Sequence, residues 1–399
     1  MELSYCTNVH PAEDLDGVLD QLTRYAGPAR RAAGLDRLGV GLWLPAPLAH
    51  RLASDSVARE RLRAGLVAEG LEVRTINAFP YTSFHAEVVK LDVYRPDWTD
   101  PRRADYTLEC AQVLADLLPE GAEGSISTLP LGWRHPWTAS DDAAATAALD
   151  RVSTGLRELR DRTGRTIRLA IEPEPGCVLD TVDDIVAWLS PRLGPGRLDP
   201  EFIGICLDTC HLAASFADPV ETVQRVGRAG IRIPKIQASA ALHIADPADP
   251  AAREALTEFA EPRYLHQTRA LAPDGVVIRV DDLPDALDEH GGLRTDGPWR
   301  VHFHVPLHLE PEAPLSSTTE VLRRAVAAVR ELPDGDSAHL DVETYTWTVL
   351  PGGAGDLVEG IASELRWASG ELLDTTDRDS TDPTATGRAA ASAPRMATA

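Results

Sequence analysis

IRLAIEPEPG, residues 167–176, is a short apolar run that ends on an acid, Glu172, and then breaks into a loop rich in Pro and Gly. Three further stretches repeat the design. IGICLDTCH (203–211) ends its run on Asp208, IPKIQASAAL (233–242) on Gln237, and AHLDVETYTW (338–347) on Glu343. A polar, metal-capable group at the C-terminal tip of successive buried strands is what a (β/α)8 barrel needs, because its active site is assembled from strand ends.

The rest of the chain fits that reading. Strand-like runs recur at LSYCTN (3–8), LGVGLWL (38–44), VRTIN (73–77), SIST (125–128), IRLAIE (167–172), IGICLD (203–208), IRIPKIQ (231–237) and AHLDVE (338–343). Amphipathic helical stretches such as ADYTLECAQVLADLL (104–118) separate most of them. Eight strands joined by helical crossovers imply parallel pairing, hence an α/β fold of the TIM-barrel type. Several runs are apolar on both faces, as expected where helices cover the outside of the sheet. The rhythm breaks between Gln237 and Ala338, a gap too long for one crossover. It holds a helix candidate (PADPAAREALTEFA) and an extra strand, WRVHFHVPLH (299–308). We expect a single barrel domain over 1–370, with residues 238–300 inserted after strand seven and returning over the barrel mouth. The small, polar stretch 371–399 reads as a disordered tail.

Composition excludes several classes. The formal net charge of −23 argues against a nucleic-acid partner and against docking on anionic lipid. No basic segment followed by an apolar core opens the chain, and no apolar run has the length of a membrane span, so a cytoplasmic location is expected. The five cysteines are scattered without a CxxC, which points to buried thiols and away from a zinc ribbon or disulfide scaffold.

Three carboxylates and one amide oxygen (Glu172, Asp208, Glu343 and Gln237) form a hard, oxygen-rich set suited to Mn²⁺ or Mg²⁺. His211, three residues after Asp208, moves the balance toward Mn²⁺, Co²⁺ or Zn²⁺. The competing reading is that the two glutamates only cap strands by bonding loop amides. Period-two alternation puts Lys235 and Asp341 one layer beneath Gln237 and Glu343. A lysine inside a barrel demands a partner, so a buried Lys235–Asp341 pair is expected; a Schiff-base role for Lys235, as a substrate-binding group, is the other possibility. His302 and His304 share a face of the 299–308 strand, which makes His304 a candidate ligand or proton carrier, or else one of a surface pair. Asn77, His85 and His10 lie at or after strand ends. Trp133, Trp137, Tyr345 and Trp347 either wall a small pocket or pack loops on helices.

These residues resemble the xylose isomerase-like TIM-barrel superfamily, which includes sugar-phosphate isomerases and epimerases, hydroxypyruvate isomerase and the endonuclease IV type. Glu172 resembles the strand-five ligand, Asp208 with His211 the D-x-x-H of strand six, Gln237 the strand-seven position and Glu343 the strand-eight ligand. Many members have His where this chain has Gln237; the hydroxypyruvate isomerase branch resembles a Glu-Asp-Gln-Glu set. In the endonuclease branch a pair spaced like His302 and His304 helps hold extra zinc. There it begins with Asp, and two more His come from strands three and four. This chain has Asn77 and SISTLPLGW (125–133) in those places and so departs from a three-zinc set. Over SYCTNVHP, IEPEPG, LDTCHLA, KIQASAAL, RYLHQTRA and VETYTW the chain is similar to the EboE family of metabolite traffic proteins. That resemblance implies a small-molecule metabolite and other proteins of an ebo pathway as partners.

The residues and the resemblance together leave three expectations. The first is a metal-dependent isomerase or epimerase in which Glu172 and Glu343 move a proton on a hydroxy-carbonyl substrate, with His211, His304 and Asn77 holding it. The second is a non-catalytic carrier on the same barrel. The third, metal-assisted phosphoester hydrolysis, would need more histidine ligands and a basic groove.

Overall fold

Strand formation follows the apolar runs closely. The computed structural model describes residues 1–288, 292–353 and 355–373. Seven strands come first: β1 (Glu2–Cys6), β2 (Leu38–Trp43), β3 (Leu71–Asn77), β4 (Gly124–Thr128), β5 (Ile167–Ile171), β6 (Ile203–Asp208) and β7 (Lys235–Ala238). Short strands of an insertion follow: β8 (Leu242–Ile244), β9 (Thr268–Leu271), β10 (Val277–Val280), β11 (Trp299–Val301) and β12 (Leu315–Ser317). β13 (His339–Val342) completes the series. β1–β7 and β13 pair in parallel and close a barrel in the order β1-β13-β7-β6-β5-β4-β3-β2. This is the expected (β/α)8 architecture.

Burial on both faces explains the composition of the strands. Every residue of β4, β5 and β6 is buried, since helices cover the outside and side chains fill the inside. The helices are delimited by local chemistry. Ala139–Thr163 starts with a reciprocal Thr138/Asp141 capping box and stops at Gly164, whose φ of 71° suits glycine. β7 is shorter than the 231–237 run, because Pro234 has no N–H to give a ladder.

The insertion is more elaborate than the sequence suggested. β8–β12 form their own five-stranded sheet, ordered β10-β9-β11-β8-β12 and antiparallel throughout. It continues beyond residue 300, to β12. The expected helix is present as Pro250–Thr257. The expected 299–308 strand is only partly present: β11 ends at Val301, and 302–308 run on without regular pairing toward Pro306. Of the expected tail, 371–373 belong to a helical turn, Ser369–Leu373, and 374–399 lie outside the described residues. Among the described residues no helix is long and apolar enough to cross a membrane. All five cysteines are free and buried.

The barrel's interior carries an ion pair. Lys235 Nζ lies 2.9 Å from Asp341 Oδ2, and both side chains have no exposed surface. Ser127 Oγ accepts from Nζ at 3.2 Å, and Ser4 Oγ donates to Asp341 Oδ1 at 2.6 Å. Gly41 makes room for the pair, since a Cβ there would sit 2.1 Å from Asp341 Oδ2. Burial works against the Lys235 ammonium, but the adjacent Asp341 outweighs it and holds the lysine above its ordinary value. Removing one partner leaves the other charged and dry, which costs about 3–5 kcal/mol. Lys235→Met should therefore lower unfolding free energy in urea by about that much, while Lys235→Met/Asp341→Leu should recover most of it. Equal damage from the single and double variants would show that the pair is not coupled.

Candidate functional site

Three of the four strand-end groups, Glu172, Asp208 and Glu343, come together at the mouth of the barrel. Glu172 follows β5, with its N–H bonded to Thr128 O at 3.0 Å, and Glu343 follows β13, with its N–H on Ala238 O at 3.1 Å. Asp208 ends β6, and register places Gln237 beside it. Glu172, Asp208 and Glu343 each present an oxygen within 4.8 Å of the others, a grouping able to hold a metal ion. Asp208 caps the short helix Thr209–Ala214. Its Oδ1 accepts from the His211 N–H at 2.9 Å and from Ser239 Oγ at 2.8 Å. Among the described residues no backbone N–H bonds the carboxylate of Glu172 or Glu343.

What these groups lack is informative. Glu172 Oε2, Asp208 Oδ2, His304 Nε2 and both amide atoms of Gln237 are buried without a hydrogen-bond partner. Buried polar atoms are nearly always satisfied, so orphaned oxygens of Glu172 and Asp208 and an orphaned His304 nitrogen in groupings of this kind fit a bound cation. Charge leads to the same place. Burial, together with the neighbouring carboxylates, lifts Glu172 and Glu343 well above the usual range. At Asp208 burial is outweighed by His211, His304 and the two hydrogen bonds, and the carboxyl is held below its ordinary value. Lys235 lies beneath, already engaged by Asp341, and does not line the cavity.

Glu343 Oε1 is oriented by two side-chain amides, Asn77 Nδ2 at 2.7 Å and Asn8 Nδ2 at 2.8 Å. Asn77 is itself fixed, since its Oδ1 accepts from the Phe79 N–H at 3.0 Å. Asn8 was missed in the sequence, although it sits just past β1 and the strand-tip rule reaches it.

The histidines form a second group. His211 Nδ1 meets Pro173 O at 2.8 Å, His304 Nδ1 meets Glu343 O at 2.7 Å, and His302 Nδ1 meets Gln267 Oε1 at 2.6 Å. Gln267 donates its own amide to Pro175 O at 2.9 Å, which fixes its Oε1 as an acceptor. Each Nδ1 therefore carries the proton, and each Nε2 presents a lone pair. Burial keeps the rings neutral, with His211 pushed down to about 4 and His302 and His304 also lowered. His211 Nε2 and His302 Nε2 face each other at 3.0 Å, an arrangement that calls for a shared proton or a cation between them. Glu174 stands with them, within metal-holding distance. Its carboxyl, bonded by Tyr94 Oη at 2.7 Å, is pushed up by burial to about 8. Glu174, Tyr94 and Gln267 went unnoticed in the sequence, because they reach the site from loops.

Above these groups lies a cavity with about 60 Å³ open to the centres of water-sized spheres, lined by Glu172, Glu343, His211, His304, Asn77 and Tyr345 among others. Its cover comes from two places. The loop after β3 and the stretch before β9 are joined by Val89 N–H and Lys90 N–H on Arg263 O (2.8 and 3.0 Å), by Tyr264 Oη on Phe84 O (3.3 Å), and by the Lys90–Asp282 ion pair. Tyr264 and Leu265 of the insertion are among the lining residues. His308, His10 and His85 do not line the cavity: His308 stacks on Trp347, His10 on Tyr25, and His85 packs against Trp43. Trp133, Trp137 and Trp347 are likewise outside the lining.

The profile of the family described as Xylose isomerase-like TIM barrel matches residues 30–293. The chain belongs to that family. Among solved structures it is similar to a putative sugar phosphate isomerase/epimerase from Anabaena variabilis, at 13% identity over 93% of this chain and 98% of that one, with a TM-score of 0.49. An IolI protein with a bound zinc atom gives the same identity, coverage and score: 13%, 93% and 98%, and 0.49. An AP endonuclease of family 2 from Brucella melitensis is 14% identical over 59% of this chain and 78% of that one, with a TM-score of 0.39. No curated protein matches.

The raised carboxyls set a sign for pH dependence. Folded Glu172 and Glu343 hold their protons above the free value of 4.5, so their contribution to stability is present below that pH and lost as pH rises through the raised values. A bound divalent cation displaces those protons. Melting curves with EDTA or Mn²⁺ should therefore diverge as pH rises from about 5 to about 8, with the metal-loaded protein the more stable. Glu172→Gln should shrink the gap. A gap that narrows with rising pH would count against a metal held by these carboxyls.

Proposed function

We propose that the protein is a divalent-metal-dependent isomerase or epimerase acting on a small hydroxy-carbonyl metabolite. The observation that carries this is the convergence of Glu172, Asp208 and Glu343, whose Glu172 Oε2 and Asp208 Oδ2 are buried without another partner; Gln237, beside Asp208 in register, is the fourth ligand of the proposal. The set fits a divalent ion: oxygen donors dominate, with His304 Nε2 3.7 Å from Asp208 Oδ2, which favours Mn²⁺, then Mg²⁺, over Zn²⁺ or Co²⁺. When bound, such an ion polarises a carbonyl and fixes vicinal oxygens.

The protein's own groups do the rest. Glu172 and Glu343 stand on strands separated by β6 and β7 and both face the cavity. One, ionised, takes the proton from the carbon beside the carbonyl, and the C–H electron pair moves toward the carbonyl oxygen. The other returns a proton to the opposite face of the same carbon as the electron pair comes back from the oxygen, or to the neighbouring carbon, in which case the hydroxyl proton passes to the former carbonyl oxygen and the new carbonyl forms where the first proton left. Asn8 and Asn77 hold Glu343 in place for this. His211, with a lone pair on Nε2, receives a substrate hydroxyl. The closed cover keeps water from quenching the carbanionic species.

The similarity to the EboE metabolite traffic proteins favours a second reading, in which the same cavity holds a metabolite and releases it unchanged. A phosphoester hydrolase is disfavoured by the acidic lining. Deuterium separates the first two. In D₂O, Mn²⁺-loaded protein should wash deuterium into the enolisable carbon of one member of a panel of hydroxy-carbonyl compounds. Glu343→Gln should lower that rate by about 10²–10⁴-fold. Saturable binding without exchange would leave the carrier, and no binding of any member would remove both.

A further inference from the structure

We infer that the ligand of this cavity carries an uncharged apolar or aromatic tail and no phosphate. The inference rests on the metal-site reading above and adds the class of substrate. The cavity is divided by chemistry along its depth. Its floor is acid and imidazole: Glu172, Glu174, Glu343, His211, His302 and His304. Its outer wall is hydrocarbon, from Phe79, Pro80, Phe84, Val89, Val93 and Leu265, with Tyr264 and Tyr345 beside them.

A phosphorylated substrate needs cations or free backbone donors at its far end. The one Lys or Arg among the described lining residues is Lys90, and its ammonium is paired with Asp282. Of the arginines nearby, Arg269 of β9 is engaged by Asp180 and Arg134 by Asp281, while Arg263, outside the lining, donates to Thr348 Oγ1 at 3.2 Å. A phosphate dianion drawn into this space would lose its hydration among carboxyl groups and apolar carbon, and among the described lining residues no unpaired cation would meet it. An aryl or alkyl tail faces no such penalty and gains contact with the wall.

Part of the apolar wall stands apart from the barrel's core, whereas Phe79 belongs to that core. Trp43, Phe84, Val89, Tyr264 and Tyr345 form a hydrophobic cluster of their own. Three of these rings interlock, with centroids 5.2 Å apart for Phe84–Tyr264, 5.5 Å for Phe84–Tyr345 and 4.9 Å for Tyr264–Tyr345. Two of the three come from the loop after β3 and the insertion, so the tail preference is written into the segments this chain adds to the barrel.

Two probes with one chelating head test the tail alone. Phenylacetohydroxamate and phosphoglycolohydroxamate are titrated calorimetrically into the full-length, Mn²⁺-loaded protein. The phenyl compound should bind at least about tenfold more tightly. In Val93→Arg, which puts a cation into the half-buried outer wall, the ratio should move toward the phosphate compound. Equal or tighter binding of the phosphate compound by the wild type would overturn the tail assignment and leave the metal site standing, as would an unshifted ratio in Val93→Arg. Binding of neither probe would overturn both readings.

Discussion

An ammonium and a carboxylate without exposed surface, 2.9 Å apart inside the barrel, set the terms for everything above them. A pair this dry persists only if each member satisfies the other and nearby hydroxyls complete the shell, as Ser4 and Ser127 do here. Because Asp341 neutralises Lys235, the lysine is not free to serve as counter-ion to the acids one layer up. Glu172, Asp208 and Glu343 are then gathered in a buried space with no basic side chain of the protein assigned to them. Burial and mutual repulsion push Glu172 and Glu343 well above the usual carboxylate range, while His211, His304 and the bonds from the His211 N–H and Ser239 hold Asp208 below its own. A cation is the simplest occupant that resolves the conflict.

The cover answers a different constraint. A site of buried carboxyls at a barrel mouth is open to water unless something closes it, and the loop after β3 alone does not. The segment between β7 and β13 supplies the other half, folded as a sheet and tied back through Arg263, Tyr264 and Asp282. Its side chains also finish the chemistry, since His302 and His304 arrive from the stretch after β11. The element that makes the cavity selective is therefore the same one that completes its floor.

The barrel was legible because its strands are buried on both faces and leave continuous apolar runs such as IGICLD (203–208), which became β6 unchanged. The polar tips were legible for the same reason: an acid after an apolar run stands out. Lys235 and Asp341 followed from alternation alone. The insertion's sheet was not, because strands of three or four residues, such as β8 and β12, are too short to show a period. His302 and His304 do reach the cavity, but by irregular backbone, with Phe303 turned the other way against Phe259. Glu174 and Gln267 carry no signature: a loop residue's direction is fixed by contacts far away in sequence, such as Tyr94.

The central claim is that one cation belongs where the four strand-end groups converge. Crystals grown with Mn²⁺ and measured at a wavelength where manganese scatters anomalously address it directly. The account predicts a peak about 2.2 Å from oxygens of Glu172, Asp208, Gln237 and Glu343 together. A map without a peak there, or with manganese held only by surface acids, would contradict it.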